Sequence, residues 1–275
     1  MKRSNRREIA RDSLKIIEAG QYQLNDGRIV SIRSAQEAAE AATIVYTSEE
    51  LEGMRKTLPS FNFSTEYRVV ADTTFDATRQ LIQEGRDNPY ALNFASAKNP
   101  GGGFLNGSQA QEESLARASG LYPCLLTAQH AYYELHRNTR SCMYTDTMIY
   151  APLVPIFKDE KGNLLPELLT ASILTSPAVN AGVVRRKEPD RVGEIVDVMR
   201  IRIEKVLSVA AHHGHRTLIL GAWGCGVFRN DPEEIAELFQ EALQGPFAGM
   251  FELVVFAVYA RDERFISPFR RLFGS

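Results

Sequence analysis

The chain has 275 residues, of which 44% are hydrophobic and 24% charged. That is the make-up of an ordinary globular protein with enough apolar residues for a sizeable core, and it leaves room for one large domain or one domain with a substantial extension. A net charge of −2 excludes an overall basic field for non-specific nucleic-acid binding, and no apolar run approaches the roughly 20 residues that cross a membrane.

The N-terminus, Met1 to Arg7, is basic, but the amphipathic, acid-bearing stretch behind it is unlike a signal peptide. Residues 4–19 place Ile9, Leu14, Ile16 and Ile17 among charges and end at Gly20, which predicts a surface helix. Tyr22-Gln23-Leu24, the turn Asn25-Asp26-Gly27 and Ile29 to Ile32 predict a β-hairpin. Helices are expected over 34–43 and from Ser48-Glu49-Glu50 to Thr57, and Pro59, Ser60 and Asn62 mark a linker. An extension ending near residue 63, or a lobe of one indivisible domain, is expected.

From Tyr67 the pattern changes. Tyr67 to Asp72 predicts a strand, Thr73 to Gln83 a helix, 89–95 a buried strand and 109–120 a further helix. Met148 to Pro155 reads as a strand interrupted by prolines, with its end at an edge or exit. Leu168 to Leu174 is an apolar strand, 177–189 a loop and 190–213 a long amphipathic helix. His130 and His136, with Tyr132 and Tyr133 between them, suggest another amphipathic helix. Thr217 to Leu220 is a short buried strand, Asp231-Pro232 opens a helix, and Leu253 to Tyr259 is a continuous β-rich run. Alternating strands and helices predict an α/β fold with a mixed sheet covered on both faces and ligand loops at the carboxyl ends of strands.

Asn99-Pro100-Gly101-Gly102-Gly103 follows the buried strand, and Gln111-Glu112-Glu113 opens the next helix. Three glycines cannot pack a core and cost backbone entropy, so they fit a place where the main chain approaches a ligand or takes positive φ. A strand, a glycine loop and a helix start form an anion cradle. Adjacent carboxylates at such a rim repel, which makes little sense for holding phosphate alone. They suit a site that also performs acid/base chemistry on an attached sugar. Acids in a first helical turn are also common dipole partners, and that reading stays open from the residues alone.

The segment Asn93 to Gly103 with Gln111-Glu112-Glu113 resembles the signature of poly(ADP-ribose) glycohydrolases: three glycines, a gap of six to eight residues (here the seven from Phe104 to Ala110), then Gln-Glu-Glu. Gly221-Ala222-Trp223-Gly224-Cys225-Gly226-Val227-Phe228 is similar to the second phosphate loop of that family's macrodomain. The resemblance implies a three-layer α/β macrodomain with a mixed central sheet over 64–275, and a helical and β-hairpin extension over 1–63. It implies hydrolysis of ribose–ribose bonds in poly(ADP-ribose) with release of ADP-ribose, without metal or organic cofactor. A bacterial source, a cytoplasmic setting, a place in the DNA damage response, poly-ADP-ribosylated proteins as targets and a monomer go with it. Glu113 is then the catalytic acid and base, and Glu112 holds hydroxyls and shares the pair's charge. Gln111 shapes the pocket, Asn99 bonds the distal ribose, and Gly101, Gly102 and Gly103 pass close to that ribose and the diphosphate. Gly224, Cys225, Gly226 and Val227 offer backbone N–H groups to the phosphates. Phe228 stacks on adenine, or anchors the core. Asp72 accepts from the adenine amino group, or caps a helix, since its Ala-Asp-Thr-Thr context departs from the usual Gly-Asp-Ile/Leu.

Two rivals remain: a non-catalytic reader of terminal ADP-ribose, which needs the loops but not paired acids, and a hydrolase of another ADP-ribosyl linkage. Cys124, Cys142 and Cys225 are widely spaced and odd in number, as small buried hydrophobes in a reducing setting would be. His212, His213 and His215 lack a Cys or acid partner at ligand spacing and are expected as helix-end or surface residues rather than a metal site. Arg185-Arg186-Lys187 could meet polymer phosphates or form a solvated surface cluster.

Overall fold

α1 (Arg3–Ala19) ends at Gly20, which takes φ 69° and turns its N–H back to the Ile16 and Ile17 carbonyls, a left-handed stop that suits glycine. A computed structural model describes residues 1–274. β1 (Gln21–Gln23) and β2 (Ile29–Ser31) form the expected hairpin, followed by α2 (Arg33–Ala41), β3 (Ile44–Tyr46) and α3 (Ser48–Lys56). α3 starts at a capping box in which Thr47 and Glu50 satisfy each other's amides. Next come β4 (Glu66–Val70), α4 (Thr74–Gln83), β5 (Tyr90–Phe94), α5 (Gln111–Ala118), α6 (Leu121–Thr127) and α7 (Leu135–Asn138). The remaining elements are β6 (Met148–Lys158), β7 (Leu164–Ser176), α8 (Ala181–Lys187), α9 (Ile195–His212), β8 (Thr217–Leu220), α10 (Pro232–Gln244), β9 (Leu253–Ala257) and α11 (Ser267–Phe273).

Seven strands form one sheet in the order β3-β6-β7-β5-β8-β9-β4. β7, β5, β8, β9 and β4 are parallel, and β6 runs against both of its neighbours, so the sheet is mixed. Burial follows two faces. Leu51, Ile203, Phe239, Phe256 and Phe269 join α3, α9, α10 and α11 to one, while Phe75, Leu115, Cys124 and Ile149 join α4, α5 and α6 to the other. The expected α/β layers covered on both faces are what the chain builds.

Several local expectations need correction. Residues 177–189 are not a loop: Asn180 caps Val183 through its side chain and α8 follows, so Arg185, Arg186 and Lys187 lie in a helical last turn. The long helix begins at Ile195 after a 3₁₀ turn over Pro189–Glu194. The helix from 109 breaks after Ala118, and α6 restarts with Pro123 in its first turn, where a missing N–H does no harm. Residues Gln129–Glu134 are π-helical rather than a regular amphipathic turn. β6 continues past Pro152 and Pro155 to Lys158, because the register shifts between Ala151 and Val154 and its pairing with β3 stops at Tyr150. β9 ends at Ala257, two residues short of the apolar run. β3 has only three residues, too few for a period-2 pattern to show.

The first 63 residues meet the rest of the fold through several elements, β3 and α1 among them. β3 pairs with β6 in the main sheet. α1 lies along α5, where Lys158, 1% exposed, reaches Asp12 at 2.7 Å and the Ser13 hydroxyl at 2.8 Å, and Ser13 donates to the Arg117 carbonyl at 2.6 Å.

The histidines after α9 are not all surface residues. His215 is buried and meets the Tyr150 hydroxyl at 2.8 Å, while His213 stacks on the Tyr150 ring at 3.9 Å between centroids and meets the Tyr46 hydroxyl at 2.9 Å. Burial lowers both to about 4, so they are neutral near pH 7 and cannot serve as cationic dipole partners. No group of three metal-ligating side chains exists among the described residues. An unfolded imidazole takes its proton near pH 6.5, so between about 6.5 and 4 the unfolded chain binds more protons than the folded one. Stability from this pair is full above about 6.5 and is lost as pH falls toward 4. Urea midpoints measured at steps from pH 7.5 to 4.5 are expected to fall for the wild type and to fall less for His213→Gln/His215→Gln.

Candidate active site

β5 lies between β7 and β8, but it pairs with β8 only through Tyr90 and Ala91. Beyond Ala91 the two strands part at their carboxyl ends, which opens a crevice where ligands of open α/β sheets bind. The Leu92 carbonyl and the Phe94 amide face the gap and need partners. Gln111, the first residue of α5, supplies both: its Nε2 donates to Leu92 O at 2.7 Å and to the Thr74 hydroxyl at 3.0 Å, and its Oε1 accepts from Phe94 N at 2.8 Å. One amide side chain thus continues the ladder that β8 abandons, and it ties α4 and α5 to the strand.

The helix so placed presents Glu112 and Glu113 to the glycine loop. Glu112 is 3% exposed; its Oε2 accepts from Ser96 N at 2.7 Å, and Asn93 Nδ2 lies 3.5 Å from its Oε1. Burial lifts its pKa to about 8; the Ser96 amide opposes this, and the neighbouring Glu113 charge adds to it. Glu113 Oε1 accepts from Gly103 N at 3.0 Å, and its buried Oε2 has no partner among the described residues.

Gly102 stands between the two acids. Its φ is 59°, and a Cβ there would sit 2.5 Å from Glu113 Oε1 and 3.1 Å from Glu112 Oε2. Any side chain would push the carboxylates out of place. The loop then makes a 3₁₀ turn, Phe104–Asn106, whose last carbonyls are bound from α1: Arg3 Nε donates to Asn106 O at 2.9 Å and Arg6 Nε to Gly107 O at 2.8 Å. Arg117, one turn after Glu113, holds Ser108 O at 2.8 Å and Gln109 Oε1 at 2.6 Å. Phe104 is buried with Ala10 and Ala116. The loop is therefore clamped from both ends.

The second loop leaves β8 at Gly221. Gly224 takes φ 75°, with a Cβ position only 2.5 Å from Ala178 Cβ and from Asn230 Nδ2, so the turn has no room for a side chain. Asn230 fixes it by donating to Val179 O at 2.8 Å and Gly224 O at 3.1 Å. Among the described residues the amides of Gly224, Gly226, Val227 and Phe228 donate to nothing, and Val227 is 83% exposed. Uncommitted N–H groups at the end of a parallel strand offer an anion site facing the first loop.

A model of the microbial-type PARG catalytic domain matches residues 10–159. The chain belongs to the microbial-type poly(ADP-ribose) glycohydrolase family. Its structure is similar to that of the poly(ADP-ribose) glycohydrolase from Thermomonospora curvata, with a TM-score of 0.93 at 44% identity over 98% of this chain and 100% of that one. The Thermomonospora enzyme bound to the inhibitor ADP-HPD gives 0.90 at 43%, covering 98% and 99%. The Deinococcus radiodurans enzyme in complex with ADP-ribose gives 0.82 at 46%, covering 86% and 96%. No curated protein matches.

Within this family frame, the residues expected from the sequence fall as follows. Gly101, Gly102, Gly103, Gln111, Glu112 and Glu113 are drawn together by direct bonds or close approach. Asn99 is exposed at the head of the loop, its carbonyl accepting from Gly102 N at 3.0 Å. Cys225 departs from expectation: its amide already donates to Ala222 O at 3.2 Å, so the free amides are those around it. Burial raises the Cys225 thiol and keeps it unreactive. Phe228 packs on the core edge with its ring 6.2 Å from Tyr144. Asp72 does not cap α4, a role taken by Thr73; it accepts from Gln80 at 3.2 Å and lines a cavity of about 300 Å³ with Asp76, Arg79, Asp159 and Glu160. The carboxyl of the pair that burial lifts is Glu112, whose neighbour Glu113 is the one expected to transfer the proton.

Two site residues were missed. Asn93 is a fully buried amide on an apolar strand, bonded to Thr175 Oγ1 at 3.1 Å beside Glu112, and its polarity in that run was the available signal. Ser96 left no signal, because it acts through its backbone N–H.

Gln111→Leu strips partners from two backbone groups and is expected to lower unfolding free energy by about 2 kcal/mol or more, read from urea denaturation, since each orphaned buried group costs about 1–3 kcal/mol. Carboxyl carbon shifts followed by NMR are expected to show one glutamate titrating near pH 8, and Glu112→Gln should remove that resonance.

Proposed function

We propose that this protein hydrolyses the ribose–ribose glycosidic bonds of poly(ADP-ribose) and releases ADP-ribose. The observation that carries this reading is Glu113: one oxygen is fixed by the Gly103 amide and the other is without a partner, on a helix start between two glycine loops. Family membership supports the substrate class, and the solved relatives include one bound to ADP-ribose and one to ADP-HPD.

The chemistry then runs as follows. The free amides of Gly224, Gly226 and Val227 hold the diphosphate, and Gly101 to Gly103 allow the distal ribose to lie against the backbone. Glu113 delivers a proton to the oxygen leaving the anomeric carbon, drawing on the proton that burial keeps on the Glu112/Glu113 pair. As the C–O bond breaks, positive charge develops on the sugar ring, and the carboxylates and diphosphate oppose it. Glu113, now ionised, takes a proton from a water that attacks the anomeric carbon. The ring gains a hydroxyl, and the pair is back in its starting state.

Glu112, fixed on Ser96, positions ribose hydroxyls, and Asn99 adds a bond to the distal ribose. Phe228 stacks on adenine, whose amino group reaches Asp72. Residues 1–63 act as structural support for the sheet and the glycine loop, and 64–275 carry the macrodomain. Polymer-bearing proteins in the cytoplasm are the targets, and the protein works as a monomer. No helix among the described residues is long and apolar enough to cross a membrane.

The test is release of ADP-ribose from purified polymer by the wild type and Glu113→Gln, with ADP-ribose affinity measured on both. A loss on the order of a thousandfold or more with affinity kept places Glu113 in the chemical step. Binding without release by the wild type would leave a reader, or a hydrolase of another linkage.

A further inference from the structure

Around the mouth of the crevice runs a band of cations that the chemistry above does not use. Lys98 sits just before the glycine loop, and Arg137 Nε donates to its carbonyl at 3.0 Å. Arg140 follows, and the segment behind it is pinned to the end of α8, since Cys142 N donates to Glu188 Oε1 at 2.9 Å and Ser141 Oγ to Glu188 Oε2. That end of α8 carries Arg185, Arg186 and Lys187. Arg185 Nη1 in turn donates to Arg229 O at 2.8 Å, directly after Phe228 on the second loop. The band thus connects one glycine loop to the other.

None of these seven cations has a carboxylate within ion-pair distance among the described residues. Glu188, the acid woven into the band, is engaged by Ser141, the Cys142 amide and Arg191. Arg140, Arg186 and Lys187 are exposed, and their side chains bond to nothing among the described residues. The part-exposed ring of Tyr144 lies between the two ends of the band, 6.2 Å from the Phe228 ring at the crevice. Tyr144 and Arg229 both hold positive φ, 58° and 59°, a backbone that side chains rarely adopt. The Arg229 stem lies along α8 where Gly182 leaves space: a Cβ there would be 2.9 Å from Arg229 Cδ.

A run of cations without acid partners forms the kind of surface that holds a flexible polyanion through its phosphates. We propose that this band binds the diphosphates of polymer units adjoining the one held in the crevice, so that it discriminates polymer from free ADP-ribose. The proposal rests on the glycohydrolase reading for the identity of the polymer.

The test uses Glu113→Gln as an uncleaving background, with and without Arg140→Gln/Arg186→Gln/Lys187→Gln. Binding of purified poly(ADP-ribose) of defined length and of monomeric ADP-ribose is measured from 50 to 300 mM salt. The triple variant is expected to lose about tenfold or more in polymer affinity near 0.1 M salt, with its salt slope smaller by roughly 2, since each phosphate contact on a flexible strand contributes about 0.7. ADP-ribose affinity should stay within about twofold. Polymer affinity that is unchanged, or that falls together with ADP-ribose affinity, would overturn the proposal. Failure of the underlying reading shows separately, as absence of ADP-ribose release by the unsubstituted protein.

Discussion

Two carboxylates crowd a backbone position that has no side chain. Glu112 and Glu113 approach the place where Gly102 would carry a Cβ, and most of the surrounding structure keeps that arrangement from relaxing. Adjacent acids repel and prefer water, and burial makes the preference stronger. They are held because backbone amides of Ser96 and Gly103 meet them at hydrogen-bond distance, and because the loop bearing Gly103 cannot swing away. Arg117 grips the loop from inside its own helix, while Arg3 and Arg6 grip it from α1. A buried carboxyl that keeps its proton near neutrality follows from the same packing.

The crevice exists because β5 and β8 part company after two residue pairs. Parting would strand polar backbone groups, and the side chain of Gln111 replaces the missing strand with one donor and one acceptor. The residue before the acids therefore does the work of main chain, which couples the width of the crevice to the position of α5. The N-terminal segment belongs to the same mechanical unit. Its helix meets the glycine loop at Gly107 and the far end of β6 at Lys158, so movement of that helix would be felt at the carboxylates.

Charge is distributed with the same economy. Acids gather in the crevice beside uncommitted amides, and unpaired cations collect outside it from Lys98 to Arg229. Opposite signs at separate radii suit a ligand whose sugar must meet acid while its phosphates lie among N–H groups and guanidinium ions. The half-buried His213 and the buried His215 beyond α9 stand apart from this. Packed on Tyr150, they are neutral core residues of the opposite helical layer.

The sequence by itself determined the alternation of strands and helices, the helix stop at Gly20 and start at Asp231, and the two glycine turns, the first with its paired acids. These rest on local physics: periodicity, capping and the freedom of glycine act within a few residues of chain. The tertiary structure decided the rest. β3 is too short to show a pattern and is a strand because β6 offers it an edge. α8 hid inside what reads as a loop, since its cap at Asn180 carries little weight without the packing around it. Nothing local tells that Gln111 mends the sheet, that burial acts on Glu112 while Glu113 keeps an unpaired oxygen, or that the Cys225 amide is already spent. Each depends on atoms that meet only after distant segments fold together, and a linear reading has no measure of that distance.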